Sequence, residues 1–182
     1  MQVLKEEVRQ RIIKSARREF KKLGFEKASM RSIASSANMT VGNLYRYYKN
    51  KEDLYGAIIG SLFDEISSLK SNMPEEPEAR LNYLLDGFKE LQKDHRSEWL
   101  TLFGGSTGTK FQKVADDLHG VLQNTLRDVL KKNNRRPEIA LPVASAIIYG
   151  LNTILRSDKG KSDDLADDFL NYMMVDIANR VA

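Results

Sequence analysis

The sequence predicts an all-α protein of about nine helices. Three observations predict it. Apolar residues recur at steps of three and four over most of the 182 residues, the period of helices packed along one face. No segment alternates apolar and polar residues as a half-buried strand does, and no internal repeat occurs. Where the stripes stop, Gly, Pro, Asn or Ser stand at positions that end or begin helices.

The first stripe is Leu4, Val8, Ile12, Ala16, Phe20 and Leu23, and Gly24 ends that helix as a C-cap. Its polar face carries Lys14, Arg17, Arg18, Lys21 and Lys22, either a solvated face or a brace that lends phosphate contacts. Ser29 caps a short second helix whose inner face is Ile33, Ala34 and Ala37. Asn38-Met39-Thr40 has room only to turn: Asn38 tolerates a left-handed backbone and Thr40 caps the next helix. Leu44 and Tyr48, four apart, give this third helix its inward face. Two helices joined by such a corner form a helix-turn-helix, whose second helix can lie in the major groove of DNA.

Thr40, Val41, Asn43, Arg46 and Tyr47 project from the opposite face. They mix amide, guanidinium, hydroxyl and methyl groups, which are the groups that read base edges. Gly42 costs the helix about 1 kcal/mol relative to Ala, which suggests close approach to a phosphate or a neighbouring helix. Ser29 is also placed to donate to a phosphate. Arg31 sits in a first turn, where a cation opposes the macrodipole unless a phosphate lies nearby.

Lys51 opens a fourth helix, with Leu54, Ile58, Leu62, Ile66 and Leu69 as its stripe and Ile59 and Phe63 widening it. Pro74 and Pro77 mark the connection that follows, and Pro77-Glu78 suits the first turn of a new helix with Leu81, Leu84, Leu85, Phe88 and Leu91 inward. After a break near 94–97 come Trp99, Leu102 and Phe103, and then a loop, Gly104-Gly105-Ser106-Thr107-Gly108. Phe111, Val114, Leu118, Leu122, Leu126 and Val129 mark a long helix ending near Lys132-Asn133-Asn134. The next helix, from Leu141 to Leu155, is apolar on nearly every face, so it is buried on more than one side, most economically by a second subunit. Ser162 caps the last helix, with Asp163 and Asp164 in its first turn and Leu165, Phe169, Leu170, Met173, Ile177 and Val181 as its stripe.

Charge is divided along the chain. Residues 1–51 hold thirteen Lys and Arg against four Asp and Glu, a net of +9; the remainder holds 16 against 21, a net of −5. A basic head on an acidic body concentrates attraction for a polyanion at one end. The sequence has no Cys, which removes disulfides, thiol nucleophiles and thiolate metal sites. The N-terminus lacks the apolar run of a signal peptide, and no run approaches the roughly 18 apolar residues of a membrane span, so a cytoplasmic protein with no membrane partner is expected. No phosphate-cradle motif follows a strand, and no nucleophile elbow is present. Asp116 and His119 are helix neighbours but Asp117 points elsewhere, so no metal and no cofactor are expected. Phe88, Trp99, Phe103, Phe111 and Tyr149 either line a ligand cavity in the body or are simple core. A helical enzyme or small-molecule carrier with an incidental basic head is the alternative to a DNA-binding protein.

Gly24-Phe25, Ser29, Ile33-Ala34, Gly42-Asn43-Leu44-Tyr45, Tyr48 and Lys51-Glu52-Asp53-Leu54 stand in the order of a known signature. The segment resembles the DNA-binding domain of TetR-family transcriptional regulators. Asn38 stands where the family usually has Gly, and Ser32 where an acidic residue is common, which weakens the capping box at Ser29. The resemblance implies a helix-turn-helix domain over residues 1–50 and a helical effector-binding and dimerisation domain over 51–182. It implies a non-enzymatic, ligand-responsive repressor that binds a pseudo-palindromic operator as a homodimer. The dimer would form through helices at about 138–156 and 163–181, paired as a four-helix bundle. Tyr45 and Lys51 would be backbone clamps, joining Ser29 and Arg31 on phosphates.

Overall fold

The computed structural model describes residues 2–157 and 162–174. Among these lie nine α-helices and no strand: α1 (Gln2–Lys27), α2 (Met30–Ser36), α3 (Val41–Tyr45), α4 (Lys51–Ser71), α5 (Pro77–Asp94), α6 (Arg96–Gly105), α7 (Gln112–Lys132), α8 (Ala140–Ser157) and α9 (Ser162–Met174). The fold is all-α, as the periodicity predicts. The chain forms two compact units. The first comprises the residues up to Phe63 together with Ser97–Lys113; the second comprises Asp64–Arg96 and the chain from Val114 onward. Helix α4 begins in the first and ends in the second.

In the first unit the inner faces of α1 to α4 supply the core: Ile12, Ala16, Phe20, Ile33, Ala34, Ala37, Leu44, Leu54, Ile58 and Leu62 are all buried. Leu23 departs from its stripe and is 39% exposed. Gly24 (φ 74, ψ 171) interrupts the helix one residue later, a conformation essentially confined to glycine. Past this kink the half-buried Phe25 packs inward instead, stacked on Phe20 at 5.9 Å and edge-on to Tyr55 at 5.4 Å. The segment Ser97–Lys113 packs into the same unit. Gly104 and Gly105, expected in a loop, form the last turn of α6. A Cβ on Gly105 would lie 2.9 Å from Gly24 Cα, so this backbone crossing admits only glycine.

The second unit is built on the inner faces of α5, α7, α8 and α9. Leu81, Leu84, Leu85, Phe88 and Leu91 are buried on α5, and Leu118, Leu122, Leu126 and Val129 on α7. Helix α8 packs on α9, with the Phe169 ring filling the place where a Cβ of Gly150 would stand. Within this unit α8 buries one face only: Ala144, Ile147, Ile148, Leu151 and Leu155 are inside. Leu141 (49%) and Tyr149 (71%) are exposed on α8, as are Leu165 (50%) and Tyr172 (68%) on α9. The side chains of Leu4, Ser162 and Asp163, and all of Ile177 and Val181, lie outside the described residues.

Candidate nucleic-acid interface

The corner between α2 and α3 is made by local chemistry. Ser29, in extended conformation, caps α2 by accepting the Ser32 amide at 3.0 Å. At the other end Asn38 takes φ 52, and the Met39 amide reaches back to the Ala34 carbonyl at 3.0 Å, closing a Schellman-type turn. Thr40 Oγ1 then caps α3 by accepting the Asn43 amide at 3.2 Å. Ser32 cannot close a capping box with Ser29, but its hydroxyl donates to Glu19 of α1, and Arg18 of α1 donates to Ser36. Two side-chain bonds therefore hold α2 on α1. Helix α3 is shorter than the Leu44–Tyr48 spacing suggests, ending at Tyr45, although the Tyr48 amide still bonds the Leu44 carbonyl at 3.1 Å. Leu44 is buried and Tyr48 half-buried, where desolvation raises its phenol pKa.

Burying Leu44 fixes which face of α3 looks outward. Thr40, Val41, Asn43 and Arg46 are exposed and Tyr47 is half-buried. Beyond its own helical turn, Gly42 has no atom within 4 Å of the place where its Cβ would be, so no neighbouring helix among the described residues accounts for it. Beside this face lies a concavity lined by Ala28, Ser29, Met30, Arg31, Val41, Tyr45 and Lys51. All four residues expected on phosphates thus share one surface, with Tyr45 half-exposed and Ser29 and Arg31 open to solvent. The Lys51 ammonium, however, turns inward onto the carbonyls of Phe25, Glu26 and Ala28. Helix α4 starts with its own cap: Asn50 Oδ1 accepts the Asp53 amide at 2.7 Å, and the Asp53 carboxylate accepts the Lys49 amide at 2.9 Å.

The first unit is further braced by contacts that sequence patterns did not reveal. Tyr55 is fully buried, its ring edge-on to Phe20 at 5.1 Å and its hydroxyl donating to the Thr101 carbonyl of α6 at 2.8 Å. Burial pushes its pKa up, keeping the phenol a donor. Arg17 pairs with the nearly buried Glu98, and the Lys110 amide donates to Glu52 of α4 at 3.0 Å. The Phe111 ring presses on Gly56. The Gly104-Gly105 pair was the one available signal for this packing.

Residues 12–58 match the model of the tetR family of bacterial regulatory proteins. The helix-turn-helix segment of this chain is thus similar to that of the TetR family. Among curated relatives, the chain is 32% identical over 90 residues to the HTH-type transcriptional repressor KstR of Rhodococcus jostii, covering 48% of this chain and 42% of that protein. It is likewise 32% identical over 97 residues to the HTH-type transcriptional regulator TtgR of Pseudomonas putida, covering 50% and 46%. These alignments thus span under half the length of the curated relatives. The TetR-family regulator PfmR of Thermus thermophilus has the same fold at a TM-score of 0.63 and 17% identity, over 90% of this chain and 93% of that one. So has NalD of Pseudomonas aeruginosa, the secondary repressor of the MexAB-OprM multidrug efflux pump: TM-score 0.57, 19% identity, 94% and 96% coverage.

The five aromatics expected to line a ligand cavity or to be simple core are divided between the two units. Phe88 is buried in the second unit, whereas Tyr149 faces solvent there. Trp99 and Phe103 pair at 4.3 Å in the first unit, and Phe111 packs on Tyr55 and Phe63 at 5.7 and 6.3 Å. Asp117 pairs with Lys70 while His119 meets Ser145, and no group of three metal-ligating side chains occurs among the described residues.

Proposed function

We propose that the protein is a sequence-specific, DNA-binding transcriptional regulator that acts as a dimeric, ligand-responsive repressor. The observation that carries this reading is the outward face of α3: Thr40, Val41, Asn43, Arg46 and Tyr47 stand around a corner locked by caps at both ends. In the major groove these side chains meet base edges, while Ser29, Arg31 and Tyr45 hold flanking phosphates. The net +9 of residues 1–51 supplies the sequence-independent attraction. The names of the curated relatives, among them a repressor, favour repression over activation.

Two heads entering successive major grooves require a dimer with half-sites about 34–36 Å apart, or a multiple of that, on a pseudo-palindromic operator. The exposed apolar residues Leu141 and Tyr149 on α8 and Leu165 and Tyr172 on α9 suit the dimer contact. A small effector held in the helical body would favour a head spacing that no longer fits the operator, acting only through its differential affinity for the two states.

Replacing Arg31 and Tyr45 with Ala tests the interface. Both side chains are exposed, so the fold should keep its thermal midpoint while operator affinity falls. The slope of log affinity against log salt should flatten by about 0.9 for each phosphate no longer neutralised. Unchanged affinity and slope would contradict the interface as drawn.

A further inference from the structure

Lys51 opens α4 at the edge of the phosphate-facing concavity, yet its ammonium is already engaged on every donor. Nζ donates to the Phe25 carbonyl at 2.6 Å, the Ala28 carbonyl at 2.9 Å and the Glu26 carbonyl at 3.2 Å. It also lies 4.3 Å from the centre of the Phe25 ring. An ammonium has three N–H donors and no acceptor, so three carbonyls saturate it. These carbonyls belong to the stretch just past the Gly24 kink, where the last groups of a helix lack intrahelical partners and the macrodipole presents its negative end. The third of them, on Ala28, directly precedes Ser29, the cap of α2.

We propose that Lys51 is the positioning residue of the DNA interface rather than one of its phosphate ligands. Its cation, held in a carbonyl cage of its own chain, pins the α1–α2 junction to the start of α4. It thereby sets Ser29 and Arg31, at the start of α2, for the phosphates they meet. The inference rests on the DNA-binding function proposed above and deepens it, dividing the polar residues of the concavity into three that touch DNA and one that holds them. A phosphate reaches Nζ only by displacing a carbonyl and leaving that acceptor without its donor.

The test compares Lys51→Met and Lys51→Arg with Arg31→Ala in the full chain. It reads the thermal midpoint and the salt dependence of binding to a duplex enriched from a random pool. Arg31→Ala should flatten the slope of log affinity against log salt by about 0.9, at an unchanged midpoint. Lys51→Met should lower the midpoint and weaken binding several-fold at every salt concentration, with the slope preserved. Lys51→Arg keeps the charge, but a planar guanidinium does not reproduce the three-fold donor geometry; it too should lose midpoint and affinity. A flattened slope for Lys51→Met at unchanged midpoint overturns the proposal, as does wild-type behaviour of Lys51→Arg. If Lys51→Met does not fold, the charge-conserving variant decides the same question. If the wild-type chain binds no duplex, the DNA-binding reading fails by itself, and midpoints equal to wild type in both Lys51 variants would then separately overturn the cage.

Discussion

Gly42 sits in the first turn of α3, exposed, with open space where a side chain would begin. Gly56, Gly87, Gly105 and Gly150 each press against a neighbour that a Cβ would crowd. Gly60 and Gly120 are open too, but they lie on α4 and α7 rather than on α3. A helical glycine costs roughly 1 kcal/mol relative to Ala, and nothing within the chain offsets that cost at Gly42. On the proposed function, DNA approaching the backbone would supply the offset. Gly42→Ala is expected to stabilise the protein by up to about 1 kcal/mol in thermal unfolding while lowering operator affinity. An Ala variant that binds as tightly as wild type would remove Gly42 from the interface. At Tyr55, Phe substitution deletes a buried hydrogen bond to Thr101 and should cost about 1 kcal/mol by denaturant titration.

At the scale of the element, the crossing of α6 over the α1 kink has no slack. A methyl on Gly105 meets Gly24 Cα, which is backbone and cannot rotate away. Gly105→Ala should destabilise the protein by about 1–3 kcal/mol, whereas Gly104→Ala, one residue earlier on the exposed side, should be far milder. The start of α5 gives a pH signature. A hydrogen bond shared with Glu78, then the Lys132 ammonium and the Ala79 amide, hold the Glu76 carboxyl down at about 2 from 4.5. A depressed carboxylate stabilises the folded state above its unfolded pKa and loses that contribution as pH falls through the folded one. The difference in thermal midpoint between wild type and Glu76→Gln should therefore be constant above about pH 4.5 and close as pH falls toward 2. A difference that persists at pH 2 would assign the effect to geometry rather than charge.

Elements were legible in the sequence because helices announce themselves locally. Ser29, Asn38 and Thr40 specify their corner through bonds to residues at most five away. Leu23 was not legible, since its stripe continues smoothly and only the Gly24 kink hands its place to Phe25. The inward turn of Lys51 depends on carbonyls 23 to 26 residues distant, and the union of Ser97–Lys113 with the first unit on contacts such as Arg17 to Glu98. Spacing carries no information about such partners. Likewise the all-round apolar pattern of α8 indicated burial on several sides without saying which side this chain leaves open.

For the whole molecule, the proposed function joins the open side of α8 and α9 to the charge division: it has two chains pair through these apolar faces and bind DNA through their basic N-terminal segments. Tyr149→Asp combined with Leu165→Asp, both at exposed positions, should leave the protomer folded, convert dimer to monomer in sedimentation and reduce operator affinity. A variant that remains dimeric would move the interface elsewhere. The most direct measurement is selection of bound duplexes from a random pool at about physiological salt, using folded protein stripped of ligand. The account predicts enrichment of an inverted repeat whose half-sites lie about one helical turn or a multiple apart, with binding that falls steeply as salt rises. Recovery of no duplex at all from the folded dimer would contradict it.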